Sequence, residues 1–136
     1  MKITIDQLDS THMEAANEEG GLLRMDGSTS IGGLEGGFSP MQLLLAGVGG
    51  CSAIDIIGIL KKQRQDLEDL SVEVEGERES VDEYSEFTKI HIKYIFAGDL
   101  DESKVERAIN LSLDKYCSVS KTLEKTSEIT HSYEIK

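Results

Sequence analysis

Positive charge is scarce in this chain. Fourteen lysines and arginines stand against 26 aspartates and glutamates, a formal net charge of -12. Nucleic-acid affinity comes largely from Lys and Arg neutralising phosphates, so this balance argues against such a partner. It equally disfavours anionic membrane surfaces. The N-terminus MKITIDQLD carries acids where a secretory signal would place an apolar core, so no signal is expected and the expected location is cytoplasmic. Cysteine is also sparse, with two residues, Cys51 and Cys117. In a reducing compartment that count argues against a structural disulfide. Neither cysteine lies in a CxxC or zinc-ligand spacing, and three scattered histidines do not complete a metal site, so no metal centre is expected.

The one long apolar run is SPMQLLLAGVGGCSAIDIIGIL, residues 39–60. Its length invites a transmembrane reading, but Gln42, Asp55 and several glycines interrupt it and no other segment supports a membrane protein. Ser39 is a good N-cap, Pro40 suits the first helical position, and Gln42 can reach back to complete a capping box. The pattern runs on to Lys61, Lys62 and Arg64, which suit a C-terminal turn. Gly47, Gly49, Gly50 and Gly58 each cost about 1 kcal/mol relative to alanine inside a helix. A helix with that composition is expected to let another backbone approach closely and to be buried on all sides, by a sheet and by a second subunit.

Around this helix, 136 residues predict a single domain over 1–136. MKITIDQL, HMEAAN and GLLRMDG form an expected N-terminal meander with turns at Gly20-Gly21 and Asp26-Gly27, followed by a mobile Gly/Ser-rich loop over 27–37. LSVEVEGERES and EFTKIHIKYIFAG alternate with period two, as strands do. DESKVERAINLSLDKY reads as a helix capped by Asp99 with Glu102, SVSKTLEKT as a short second helix, and EITHSYEI as a last strand with Ile129, His131, Tyr133 and Ile135 on one face. The order βββ–α–ββ–αα–β predicts an α+β domain with an antiparallel sheet.

Chemistry rests on the cysteines. In its apolar setting Cys51 reads equally as inert packing, and Asp55 one helical turn away opposes a thiolate. Cys117 falls at a helix start, where the dipole, free amides, Lys115 and Lys121 favour a thiolate, or it is simply a thiol filling a helix corner. His131 could complete a Cys–His–Asp arrangement, or serve as a hydrogen-bonded strand histidine.

Three segments carry a family resemblance. SPMQLLLAGVGGCSAIDII resembles the central-helix signature of the OsmC/Ohr family of thiol-dependent peroxidases, and DKYCSVSKTLEK with ITHSYEI resembles its second-cysteine segment and final strand. GGCSAID, KYCSV and THSYEI resemble its YhfA-like branch. The resemblance covers residues 20–136 and implies an OsmC-like fold, with antiparallel sheets wrapped around the long central helices of an intertwined homodimer. It implies that Cys51 is a peroxidatic cysteine attacking an organic hydroperoxide, that Cys117 resolves it, and that a dithiol reductant restores both, with no cofactor. Hydroperoxide resistance members carry a glutamate after the helix-start proline, paired with an activating arginine. Here that position is Met41, and Arg24 is the N-terminal candidate for the cation. Met41 favours an alternative expectation, a small-ligand binding module with an apolar pocket formed by Met41, Leu44, Cys51 and Tyr116.

Overall fold

The computed structural model describes residues 1–136, which fall into two compact units, Met1–Leu44 and Leu45–Lys136. In the first unit, β1 (Ile3–Asp9), β2 (His12–Asn17) and β3 (Leu22–Met25) form an antiparallel meander in that order. Gly20 takes the left-handed φ of 90° that the turn between β2 and β3 requires. Ile3, Ile5, Leu8, Leu22 and Leu23 are all exposed, so this sheet buries little of its own apolar content.

The Gly/Ser-rich loop differs from expectation: it is pinned by one carboxylate. Buried Asp26 accepts from Thr11 Oγ1 at 2.7 Å, Gly27 N at 2.8 Å, Leu34 N at 2.8 Å and Gly36 N at 3.1 Å. The Thr11 hydroxyl, with those amides, pulls the Asp26 pKa down to about 2. An unfolded aspartate titrates near 3.9, so the folded pKa is the lower one. The contribution of Asp26 is therefore complete above about pH 4 and is lost as pH falls through about 2. Urea midpoints of the wild type and Asp26→Asn are expected to differ at neutral pH, with the gap closing between about pH 4 and pH 2. A gap independent of pH would refute this.

Helix α1 (Pro40–Lys62) starts as its sequence predicts. Gln42 N donates to Ser39 Oγ at 3.2 Å, and Ser39 N donates to Gln42 Oε1 at 2.9 Å, a reciprocal capping box. It ends at Lys62, with Arg64 at a φ of 56° and Gln65 N donating to Leu60 O across the terminus. The helix is buried along one ridge only, Val48, Ser52, Ile56 and Leu60 with Gly49 beside it. The expectation of burial on all sides is therefore not met within the protomer: Ile54 is 72% exposed, and Ile57 and Leu44 are also open. Of the four helix glycines, only Gly49 is tightly constrained here, since a Cβ would lie 2.8 Å from Val74 Cγ2; Gly50 and Gly58 have nothing within 4 Å.

In the second unit, β4 (Asp66–Val81) and β5 (Tyr84–Asp99) form a long antiparallel hairpin. On β5, Ile90, Ile92, Tyr94 and Phe96 are buried at every second position. They share the core with the α1 ridge and with Val105, Ala108 and Ile109 of α2 (Glu102–Leu111). Asp101, rather than Asp99, caps α2, accepting from Ser103 N and Lys104 N. A π-helical turn (Ser112–Tyr116) and α3 (Ser118–Leu123) lead to β6 (Glu128–Ile135).

The sheet order is β4-β5-β6, and β6 pairs with β5 in parallel, not antiparallel as expected. The helical crossover returns the chain to the start of β5, so that Glu128 aligns with Lys89 and Ile135 with Phe96.

Candidate active site

Cys51 and Asp55 stand one helical turn apart on α1 and so share a face. Opposite them is Cys117, placed by the π turn: its N–H donates to Ser112 O at 2.7 Å, five residues back. The two sulfurs and an Asp55 carboxylate oxygen all lie within 4.8 Å of one another. Cys51 and Asp55 are half-buried, Cys117 is fully buried, and both thiols are free. The two cysteines named by the sequence are thus brought together, and Asp55 joins them.

Four hydroxyls frame the cluster. Ser112 Oγ donates to Asp55 Oδ2 at 3.0 Å and lies 3.4 Å from Ser52 O, tying the π turn to α1. Tyr94 donates its hydroxyl to Ser52 Oγ at 2.7 Å, and Ser52 Oγ lies 2.9 Å from Val48 O, within the α1 backbone. Ser120 Oγ donates to Cys117 O at 2.9 Å. Burial pushes the Tyr94 pKa up to about 12, so it remains a phenol at neutral pH and acts as a structural donor.

Helix-start logic fails for Cys117. Its sulfur accepts from Ser120 N at 3.4 Å as an N-cap, which helps a thiolate. Burial is the larger effect and pushes the thiol up, with Cys51 acting in the same direction. The nearby lysines are engaged elsewhere: Lys121 pairs with Glu124 at 3.3 Å, and the Lys115 ammonium sits 5.3 Å from the Tyr116 ring centroid.

The cluster contains no histidine, and His131 is exposed on β6, so the Cys–His–Asp arrangement does not form. Arg24 is an exposed strand arginine whose Nε bonds Glu14 Oε2 at 3.2 Å, across the β2–β3 register pair.

Beside the cluster runs a groove of about 590 Å³, with Ile54, Asp55, Gly58, Ile59, Leu111 and Tyr116 among its lining. Asp55 belongs to both. Of the four pocket residues expected from sequence, only Tyr116 lines this groove. Ser52, Ser112 and Ser120 were missed because a serine carries no spacing signal of its own. Tyr94 reads in sequence as one more apolar strand position.

Residues 32–132 match the family model described as OsmC-like protein. The chain belongs to the OsmC family. Over 98 residues it is 48% identical to Protein YhfA of Escherichia coli K12, covering 71% of this chain and 72% of YhfA. A hypothetical protein from Aquifex aeolicus VF5 superposes with a TM-score of 0.86 at 29% identity, over 99% of this chain and 95% of that one. An organic hydroperoxide resistance protein OsmC from Legionella pneumophila shares the fold, with a TM-score of 0.72 at 21% identity over 98% and 95%. By length and composition α1 could cross a membrane. In this chain it is instead the long helix of the OsmC fold, with its Val48–Leu60 ridge in the core.

Proposed function

We propose that this OsmC-family protein is a cytoplasmic thiol peroxidase that reduces organic hydroperoxides through Cys51 and Cys117. The observation that carries the reading is the approach of the two sulfurs to within 4.8 Å, one half-exposed and one buried. The structural likeness to a Legionella pneumophila protein described as conferring organic hydroperoxide resistance supports the substrate class.

Cys51 is the accessible sulfur and so the attacking one. Its thiolate attacks the terminal oxygen of ROOH, the O–O bond breaks, and RO⁻ takes a proton to leave as ROH. The resulting Cys51 sulfenic acid is then attacked by the Cys117 sulfur. A disulfide forms and the hydroxyl leaves, protonated, as water. An external dithiol reduces the disulfide and is itself oxidised. Bonding requires the sulfurs to close to about 2.05 Å, a movement for which the short α3 and its π-turn hinge are the nearest adjustable elements.

Homodimerisation belongs to the same proposal. Ile54, Ile57 and the unfilled space at Gly50 and Gly58 leave one α1 face open, and the N-terminal sheet exposes Ile3, Ile5, Leu22 and Leu23. Exposed apolar surface on each of these elements is of the kind that protein interfaces cover. Sedimentation at twice the 15.0 kDa protomer mass is expected, and a monomer at micromolar concentration would exclude the dimer.

The decisive experiment titrates the reduced protein with a slight excess of cumene hydroperoxide and counts the remaining thiols. Loss of both, with a disulfide identified by mass spectrometry, is expected. Two surviving thiols would sink the peroxidase reading and favour the ligand-binding module. That second reading has one observation behind it: neither sulfur receives a hydrogen bond from a Lys, Arg or His, and the sulfur-bound donor seen is the Ser120 amide.

A further inference from the structure

We propose that the reduced Cys51–Asp55–Cys117 cluster is a binding site for one zinc ion. Sequence spacing hides it, because two of the donors come from α1 and the third from the middle of the helical crossover, between the π turn and α3. The fold nevertheless sets all three donor atoms within 4.8 Å of one another. A tetrahedral zinc with bonds of about 2.3 Å to sulfur and about 2.0 Å to oxygen holds its ligand atoms roughly 3.4–3.8 Å apart. The donor atoms of the free cluster are thus at most about 1.4 Å per pair from closing on a metal.

The donor set selects the ion. Two soft thiolates exclude calcium and magnesium as natural occupants and suit zinc, with one carboxylate completing a three-ligand site. Three protein ligands leave the fourth tetrahedral position to water. Charge points the same way. Ionised, the cluster holds three negative groups, and no lysine, arginine or histidine bonds to any of them. A divalent cation is the partner such a grouping lacks.

The surroundings are also built for ligation. Ser112 Oγ fixes Asp55 through Oδ2, as outer-shell donors fix metal carboxylates. Asp55 also lines the open groove, which brings solvent up to one of the three ligands. The site requires reduced thiols but does not depend on peroxide chemistry, so the two proposals fail separately.

The test uses the full-length reduced protein under anaerobic conditions. Titration with cobalt(II) is expected to give a thiolate-to-metal charge-transfer band in the near ultraviolet that saturates at one equivalent per protomer. Zinc(II) should abolish that band, compete with a chromophoric chelator, and protect Cys51 from iodoacetamide. Cys51→Ser should lose the charge-transfer intensity of one thiolate, and Asp55→Asn should weaken zinc binding at least tenfold. Ser112→Ala, which removes only the hydroxyl behind Asp55, should weaken it by roughly 10- to 100-fold with unchanged circular dichroism. Absence of the cobalt band at one equivalent overturns the site, as does an affinity unmoved by Cys51→Ser and Asp55→Asn. A protein that binds zinc but leaves peroxide untouched keeps this site and overturns the peroxidase reading instead.

Discussion

Cys51→Ser is expected to end peroxide consumption, with a loss of at least about a thousandfold, because a serine hydroxyl in this setting cannot replace a thiolate nucleophile. Cys117→Ser is expected to behave differently. The first step survives, so one equivalent of hydroperoxide is consumed and Cys51 remains as a sulfenic acid that dimedone captures. Turnover with a dithiol then falls to whatever rate the reductant achieves by attacking that sulfenic acid directly. The contrast is interpretable because serine fits the Cys117 position. Cys117 is the N-cap of α3 and accepts from Ser120 N, a role in which serine is a preferred residue. The variant should therefore fold, and a loss of consumption cannot be blamed on collapse of the corner. The measurement is ferrous-oxidation assay of residual peroxide together with intact mass after dimedone. Equal consumption by the wild type and Cys51→Ser would overturn the assignment of the nucleophile. A disulfide-free, sulfenic-free Cys117→Ser after peroxide would overturn the order of the two cysteines.

The asymmetry between the cysteines was only half legible in the sequence. Local rules succeeded where the forces are local. The Ser39–Gln42 capping box forms because its partners are three residues apart, and the β5 alternation places Ile90, Ile92, Tyr94 and Phe96 inside. The same local logic left Cys117 open between a thiolate and a thiol filling a helix corner. A helix start favours a thiolate, but the corner is fully buried, and desolvation outweighs one amide hydrogen bond at 3.4 Å. Burial is a property of the assembled core, so no neighbour in sequence announces it.

The remaining misses are likewise non-local. Asp26 organises its loop by reaching amides eight and ten residues onward, a pattern that reads in sequence only as a glycine-rich stretch. Ser112 meets Asp55 across 57 positions. The direction of β6 depends on where the crossover sets the chain down, and period-two alternation is the same in a parallel and an antiparallel strand. The apolar α1 pattern reads correctly as a helix, but within the protomer only the Val48–Leu60 ridge is covered.

A large loss of stability from a single methyl group is expected at Gly98. It is the second-last residue of β5, opposite Leu67 where the β4–β5 register shifts. Its φ is 135°, a conformation that side-chain-bearing residues rarely adopt. A Cβ built there would meet Asp66 O at 2.1 Å and Glu68 N at 2.9 Å, both backbone atoms with no rotamer to yield. Two penalties therefore add: about 1–3 kcal/mol for the strained backbone and about 1–3 kcal/mol for overpacking. Gly98→Ala is expected to lower the unfolding free energy by about 3 kcal/mol or more, read as a shifted urea midpoint at constant m-value. The comparison is Gly50→Ala, at an ordinary φ inside α1 with nothing within 4 Å in the protomer. Helix propensity alone makes that change stabilising by about 1 kcal/mol. A loss at Gly50 in the assembled protein, vanishing on dilution, would locate a partner's backbone on this face of α1. A Gly98→Ala protein within about 1 kcal/mol of the wild type would mean that the bulge relaxes without resistance. The β4–β5 register that seats Tyr94 over Ser52 would then not depend on this glycine.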